Sequence, residues 1–261
     1  MPPESRLPAC VLVTGAAAGI GRATAIRFHA AGWRVTALDR DTQGLESLAA
    51  DLGDERLLTV NCDVTSQARL EHAVAAYRDR FGPALDVLVN NAGVLRIGPF
   101  ADVAMAAHRR MLEVNALGAM ATLHTVFPLL QAAPGARVVN ISSASAQFGS
   151  PEFASYSASK FFVRGLTEAL SLEWRGFGIH VCHVMPAFVA TDMVAGLRTD
   201  SMERLGVRLG PQDIAAVVYK AATGRKRLTW PVGGGFRLLR LLLGPAPEAL
   251  KMRVVGWITG Y

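Results

Sequence analysis

The chain has 261 residues, of which 51% are hydrophobic, and a formal net charge of +6 at pH 7. This length allows one large α/β domain or two small ones with a sizeable core. No apolar run approaches the ~20 residues that cross a bilayer, and no basic face carries a nucleic-acid-binding motif. Cys10, Cys62 and Cys182 fit no metal or redox spacing. We therefore expect no metal, and free thiols in a reducing cytoplasm.

The first strand and helix enclose a glycine-rich turn. Val11–Val13 predicts a short apolar strand, which runs into the sequence TGAAAGIG and then into a helix. Gly15 can make the tight turn, while Gly19 and Gly21 let the backbone approach a pyrophosphate at the helix N-terminus. The alternative is a glycine-rich turn that binds no ligand.

A carboxylate follows the second predicted strand, Trp33–Leu38. Asp39 lies 18 residues after Gly21. A carboxylate at about that distance bonds the adenosine ribose and repels a 2′-phosphate, so Asp39 favours NAD over NADP. Arg40 comes next and could offset this repulsion, which keeps NADP possible. A solvated loop aspartate is the competing interpretation.

Strands and helices alternate along the rest of the chain. This alternation predicts an α/β fold with one doubly wound domain, a central parallel sheet of about seven strands and helices on both faces. The further predicted strands are Arg56–Val60, Leu85–Val89, Arg137–Ile141 and Ile179–Met185, and the predicted helices include Ser66–Phe81, Asp102–Glu113, Ala116–Leu130 and Phe161–Trp174.

Two polar residues occupy positions that indicate a site. Asn115 lies between two predicted helical segments and indicates a local break, a bound water or a cap of the second segment. Ser143 follows the strand Arg137–Ile141, at the edge where open α/β sheets bind ligands. Its hydroxyl could bond a substrate oxygen, with Ser142 as the local alternative. Neither serine lies in a G-x-S-x-G context, which argues against a hydrolase triad.

Tyr156 and Lys160 are four residues apart, a spacing that places two side chains on one face of a helix. A free tyrosine has a pKa of about 10, and a positive charge beside it stabilises the phenolate and lowers that pKa. Such a tyrosine can exchange a proton with an alcohol or carbonyl oxygen. Because this spacing is common on ordinary helices, the interpretation depends on the other motifs.

Taken together, these motifs resemble the short-chain dehydrogenase/reductase family. The residues that carry the resemblance are Thr14-Gly15, Gly19-Ile20-Gly21, Asp63-Val64, Asn90-Asn91-Ala92-Gly93, Asn115, Ser143, Tyr156, Lys160 and Pro186 to Thr191. The resemblance covers residues from about 9 to about 223. It implies a single NAD(P)-binding, Rossmann-like domain and an oxidoreductase that acts on an alcohol or ketone.

The resemblance also implies roles for individual residues. Tyr156 would be the general acid/base, Lys160 would lower its pKa and bond the nicotinamide ribose, Ser143 would orient the substrate carbonyl, and Asn115 would hold a water in a proton relay. The implied cofactor-binding residues are Gly15, Gly19, Ile20, Gly21, Asp39, Arg40, Asp63, Val64, Asn90, Ala92, Gly93, Tyr156, Lys160, Val189 and Thr191.

The predicted substrate pocket is mostly apolar. Its walls are expected from Leu95, Ser145, Phe148, Phe153, Phe188 and Met193. Such walls favour a hydrophobic secondary alcohol or its ketone, with steroid-like, acyl-chain and aromatic substrates as options. Two alternatives are a membrane-surface enzyme that acts on lipids or steroids and a non-catalytic dinucleotide-binding regulator. The complete catalytic set disfavours the regulator.

The C-terminal part, residues 225–261, is basic and apolar and departs from the family's usual ending. Within it, Phe236–Leu243 places leucines beside Arg237 and Arg240. It could be a lid over the substrate pocket, a membrane-facing segment or a subunit interface, and we favour the lid or the interface. A homodimer or homotetramer is expected, with a dimer through the helices that hold Asn115 and Tyr156.

Overall fold

Seven strands form one parallel sheet in the computed structural model, which describes residues 8–190, 209–244 and 246–261. They are β1 (Cys10–Thr14), β2 (Arg34–Asp39), β3 (Leu57–Asn61), β4 (Val87–Asn90), β5 (Arg137–Ile141), β6 (His180–Pro186) and β7 (Thr229–Val232). Their order across the sheet is β3-β2-β1-β4-β5-β6-β7. The predicted fold class is confirmed, and the order reverses between β1 and β4, where such sheets bind ligands.

Helices cover both faces of the sheet. They are α1 (Gly19–Ala30), α2 (Thr42–Leu52), α3 (Gln67–Phe81), α4 (Met105–Leu112), α5 (Ala119–Gln131), α6 (Ala154–Glu173), α7 (Pro211–Thr223), α8 (Gly234–Leu243) and α9 (Glu248–Thr259). Helices α1, α2 and α7 contribute to the core on one face, and α3 and α5 to the core on the other.

Every residue of β1 and β4 is buried, as expected for strands that are covered on both faces. Their side chains alternate between the two cores, so that Val11 and Val13 pack on one face while Cys10 and Leu12 pack on the other. The apolar runs in the sequence therefore specify which strands lie in the middle of the sheet, and the site forms where these strands end.

Several elements differ from the sequence prediction, which also did not locate α2 and α7. Helix α6 begins at Ala154, before the predicted start at Phe161. The prediction missed its first turns because they are rich in small residues and show no apolar period. Strand β7 was not located, since it is short, lies at the sheet edge and contains Pro231. Helix α9 was also missed, although Pro247 and Gly260 flank it.

Among the described residues, no helix is both long enough and apolar enough to cross a bilayer.

Candidate active site

A cavity of about 230 Å³ lies at the carboxyl ends of β1, β2 and β4. Nine of the predicted cofactor-binding residues line it: Gly15, Gly19, Ile20, Asp39, Arg40, Asp63, Val64, Ala92 and Gly93. Six further residues complete the wall of the cavity and were not predicted to line it: Ala18, Cys62, Asn91, Val94, Arg110 and Val114. The structure thus brings together residues from the connections after β1, β2, β3 and β4 and from the helical segment of Arg110 and Val114.

The N-terminus of α1 opens onto this cavity. Helices α2 and α3 are capped by the side chains of Asp41 and Ser66, whereas no side chain caps α1 at Ala18. Gly19 and Ile20, in the first turn of α1, line the cavity. Free N–H groups and the positive end of the helix dipole there fit a pyrophosphate.

Gly21 has a different role from the predicted one, because it is buried and does not line the cavity. A Cβ at this position would lie 1.8 Å from the carbonyl oxygen of Gly15 and 2.6 Å from Nδ2 of Asn91. The missing side chain lets α1 pack directly against the turn. Gly15 meets the predicted requirement for a tight turn, since its φ of 68° is in the left-handed region.

Two side chains join the ends of β1 and β4. Oγ1 of Thr14 accepts hydrogen bonds of 3.0 Å from the backbone N–H groups of Asn91 and Ala92. Nδ2 of Asn91 donates to the carbonyl oxygens of Thr14 (2.9 Å) and Gly15 (3.1 Å). The sequence indicated such a connection through the two amides, but the contribution of Thr14 was not predicted.

Asn90, predicted to line the cofactor, is directed elsewhere. Its Nδ2 donates a 2.9 Å hydrogen bond to the carbonyl oxygen of Ala119 at the start of α5, and the side chain is buried. Because alternate residues of a strand point to opposite faces, Asn90 joins β4 to the helix layer while Asn91 reaches the cavity.

The acidic side chains of the cavity are held in place. Oδ2 of Asp39 accepts a 2.9 Å hydrogen bond from the backbone N–H of Ala17, which connects this carboxylate to the glycine turn. Asp63 accepts from Thr65 and forms a 2.9 Å ion pair with Arg110. These contacts hold the pKa of Asp63 at about 2 despite its partial burial.

Asn115 lies in a π-helical segment, Glu113–Gly118, that interrupts the helix between α4 and α5. The predicted local break is therefore present, and the side chain does not cap α5. Oδ1 of Asn115 accepts a 2.7 Å hydrogen bond from Val94 N–H, and Nδ2 donates to Val94 O (2.9 Å) and Ser159 Oγ (3.1 Å). A widened turn of this kind is often found at functional sites.

Tyr156 and Lys160 lie one turn apart on α6, and Nζ of Lys160 is 5.7 Å from the centre of the Tyr156 ring. Nζ donates a 2.9 Å hydrogen bond to the carbonyl oxygen of Ile141, at the end of β5. Ser143 hydrogen-bonds to Tyr156. A Cβ on Gly93 would lie 3.7 Å from Nζ of Lys160 and 3.3 Å from Oδ1 of Asn115. Gly93 therefore lies between the cofactor cavity and two of the predicted catalytic residues, Asn115 and Lys160.

The expected fall in the pKa of Tyr156 is not the net effect in this structure. Burial raises the pKa of Tyr156, and the hydrogen bond with Ser143 opposes this rise. Burial also lowers the pKa of Lys160 to about 8, because the charged amine loses hydration. The sequence argument included the attraction between the ammonium of Lys160 and the phenolate of Tyr156. It omitted the free-energy cost of burying these two charged forms.

The predicted pocket residues occupy two regions. Phe153 makes an edge-to-face contact with Tyr156 and a tilted contact with Phe188, with ring centres 6.4 Å and 6.0 Å apart. Ser145 donates a 2.9 Å hydrogen bond to Oγ of Ser143. Phe148 instead packs in a cluster with the C-terminal helices. Leu95 is partly buried in the loop after β4.

Of the residues expected near the nicotinamide carboxamide, Val189 is buried and forms a β-bridge with Leu209. Thr191 and Met193 lie outside the described residues.

The fold and this site define a dinucleotide-binding type of α/β architecture, and comparison with known proteins identifies the family. The model of the family described as short chain dehydrogenase matches residues 9–202. The chain therefore belongs to the short-chain dehydrogenase/reductase family, a family of oxidoreductases.

Individual relatives agree with this assignment. D-threitol dehydrogenase of Mycolicibacterium smegmatis is 35% identical over 221 residues, covering 81% of this chain and 85% of that protein. Serine 3-dehydrogenase of Agrobacterium fabrum is 32% identical over 225 residues, covering 84% and 89%. The crystal structure of a 3-ketoacyl-(acyl-carrier-protein) reductase from Brucella melitensis, complexed with NADH, matches with a TM-score of 0.80 and 29% identity, covering 87% of this chain and 98% of that chain.

Proposed function

We propose that this protein is an NAD(P)-dependent oxidoreductase that interconverts a hydrophobic secondary alcohol and its ketone, with Tyr156 as the general acid/base. The observation that carries the proposal is that Lys160 and Asn115 lie beside Gly93, at the rim of the cavity formed by the glycine turn, and that Tyr156 lies between Lys160 and Ser143. The NADH complex of the Brucella melitensis relative supports a nicotinamide dinucleotide in that cavity.

When bound, the nicotinamide would supply the hydride donor or acceptor. The chain's own residues would position the substrate and move a proton. The hydroxyl of Ser143 would hold the carbonyl oxygen, and the phenolic oxygen of Tyr156 would donate a proton to it or accept one from the alcohol. Positioning the two reactants side by side makes the transfer effectively unimolecular.

Lys160 and Asn115 would support this proton transfer. With a pKa of about 8, the amine of Lys160 is close to the operating range of a proton relay. Nδ2 of Asn115 donates to Ser159, whose hydroxyl donates in turn to the carbonyl oxygen of Tyr156 at 2.7 Å. This chain of bonds would fix the turn of α6 that carries the tyrosine.

The aromatic contacts of Tyr156 favour an apolar substrate. Phe153 packs against Tyr156, and Phe188 packs against Phe153. An apolar wall of this kind holds alkyl or ring groups better than it holds polyols. The similarity to a threitol and a serine dehydrogenase supports chemistry at an alcohol.

A substrate panel tests the proposed activity. We expect NADH- or NADPH-dependent reduction of hydrophobic ketones, followed by cofactor absorbance, with kcat/KM at least about tenfold above that for polyol-derived ketoses, since one or two buried methylenes provide such a factor. Dinucleotide binding without turnover of any alcohol or ketone would support the non-catalytic alternative. Preference for polar ketoses would contradict the substrate class.

Cofactor choice is proposed to depend on Asp39, with NAD preferred. Replacing Asp39 with asparagine removes the charge and keeps one oxygen for the N–H of Ala17, while the hydrogen bond from the N–H of Asp41 to the other oxygen is lost. We expect the preference for NADH over NADPH to fall by about tenfold, because a 2′-phosphate would no longer meet a carboxylate and Arg40 could pair with it. The measurement is kcat/KM with each cofactor.

The matched control for this change is Asp41→Asn. It removes a charge two residues away and keeps a side-chain oxygen that can accept the hydrogen bond from Gly44 N–H at the start of α2. Unchanged selectivity in Asp39→Asn, or an equal change in both variants, would show that the carboxylate of Asp39 does not contact the ribose.

A homodimer and a cytoplasmic location complete the proposal. Large apolar side chains are exposed on α4 to α6 and the segment between them, which supports a helix-to-helix interface there. They are Met105, Leu112, Leu117, Met120, Phe161, Phe162 and Leu172. Three buried free cysteines support a reducing compartment.

A further inference from the structure

The C-terminal helices α8 and α9 are anchored by one face. Phe236 packs against Ala146 in the segment after β5, and Leu243 packs with Phe148 and Val255. This inner face adjoins the stretch that carries Ser143. If these helices act only as the lid expected from the sequence, the contacts of this inner face are sufficient to hold them in place.

The outer face of α8 is apolar and exposed. Leu238, Leu241 and Leu242 have 57%, 74% and 63% of their surface accessible. On α9, Leu250 and Trp257 are also exposed and lie seven residues apart, on one side of the helix. A lid that buried these side chains would not leave them accessible, so the outer face requires a separate explanation.

A basic groove lies beside these leucines. It has a volume of about 400 Å³ and its lining includes Arg164, Arg237, Arg240, Gln147 and Leu241. Among the described residues, Glu168 is the carboxylate that pairs with one of these guanidinium groups, at 2.8 Å from Nε of Arg164. The groove therefore has an excess of positive charge next to an apolar surface.

The charge of these helices distinguishes between possible occupants. Helices α8 and α9 carry Arg237, Arg240, Lys251 and Arg253 against Glu248 alone. In a two-fold interface the same surface meets itself, so a second copy would bring these cations together. A surface of anionic phospholipid offers the complementary charge to the arginines and an acyl boundary to the leucines.

We propose that the outer face of α8 and α9 docks on an anionic phospholipid membrane, with the leucines at the acyl boundary and a lipid phosphate in the groove of Arg164, Arg237 and Arg240. The short helices lie on the bilayer without crossing it, in keeping with their length. The proposal concerns a surface apart from the catalytic residues and holds whichever substrate the enzyme uses.

Vesicle co-sedimentation of the full chain tests this proposal. We expect wild-type protein to sediment with vesicles of phosphatidylcholine containing phosphatidylglycerol and not with phosphatidylcholine alone. The double variant Leu238→Gln with Leu241→Gln should lose this binding. The matched control is Ile26→Gln, which changes an exposed apolar side chain (37%) on α1, outside both the C-terminal surface and the proposed subunit interface, and should bind as wild type does.

A second pair of variants tests the charges. Arg237→Gln and Arg240→Gln should each weaken binding to anionic vesicles by about fivefold, the effect of one cation near a charged bilayer. Arg78→Gln, an exposed arginine on α3, is the control and should have no effect. Circular dichroism and ketone reductase activity should be unchanged in all these variants, which excludes misfolding as the cause.

Three outcomes would overturn the proposal. The first is that wild-type protein does not sediment with anionic vesicles. Inorganic phosphate binding in the groove without vesicle binding would make it a site for free anions. A change of oligomeric state in the leucine double variant, measured by analytical ultracentrifugation, without any vesicle binding by wild type, would identify a subunit interface.

Discussion

Replacing Tyr156 with phenylalanine is expected to lower turnover by about 10²- to 10⁴-fold, the range that a positioned general acid or base provides. The ring remains, and its packing against Phe153 at 6.4 Å needs no hydroxyl, so the fold should be preserved. Cofactor affinity should also persist, because the cavity is lined by other residues of the chain. The measurements are kcat for ketone reduction and the Kd of NADH from fluorescence.

The control for this variant is Tyr219→Phe on α7. The Tyr219 ring packs against Phe28, with centres 5.0 Å apart, and this contact also survives removal of a hydroxyl. Both variants lose one phenol oxygen, but only the one at position 156 lies beside Ser143 and Lys160. Wild-type turnover in Tyr156→Phe, or an equal loss in both variants, would show that the phenol does not transfer the proton.

The central sheet and the glycine turn could be predicted because their signals are local. A buried parallel strand is an apolar run, and β1, β4 and β5 were found within a few residues of their observed limits. Gly15 was recognised because it follows a strand and precedes a helix. Such patterns need only the residue types in one short segment.

The parts that could not be predicted depend on contacts between distant segments. Gly21 was assigned to the ligand, but its neighbours are Gly15 and Asn91, and only the folded chain brings Asn91 there. The side chains of the adjacent residues Asn90 and Asn91 bond to different parts of the fold, the first to α5 and the second to the end of β1. The sequence alone does not show which of the two bonds where. The pKa of Tyr156 depends on burial, which also requires the folded structure.

The position of Asn115 shows how the two kinds of information combine. The sequence indicated a break in the helix, and the structure shows which groups the side chain of Asn115 contacts at that break. The π-helical segment directs this amide to Val94, just after the cavity-lining Gly93, and to Ser159 on α6. One irregular turn thus connects β4, the cofactor cavity and α6.

Replacing Gly21 with alanine is expected to destabilise the protein by about 3 kcal/mol or more, at the upper end of the cost of overpacking. The added Cβ would lie 1.8 Å from a backbone oxygen, which no side-chain rotation can relieve. Any folded protein should bind NADH poorly, because α1 must move away from the turn that positions Gly15 and Gly19. The measurements are the urea midpoint and the Kd of NADH.

The matched control is Gly165→Ala, which also changes a helical glycine. Apart from its chain neighbours and the adjacent backbone of its own helix, no atom lies within 4 Å of the position of its Cβ. Because alanine has the higher helix propensity, this variant should gain roughly 0.5 to 1 kcal/mol and bind NADH normally. If Gly21→Ala were as stable as wild type and bound NADH with equal affinity, the close packing of α1 on the turn could not be what shapes the cofactor cavity.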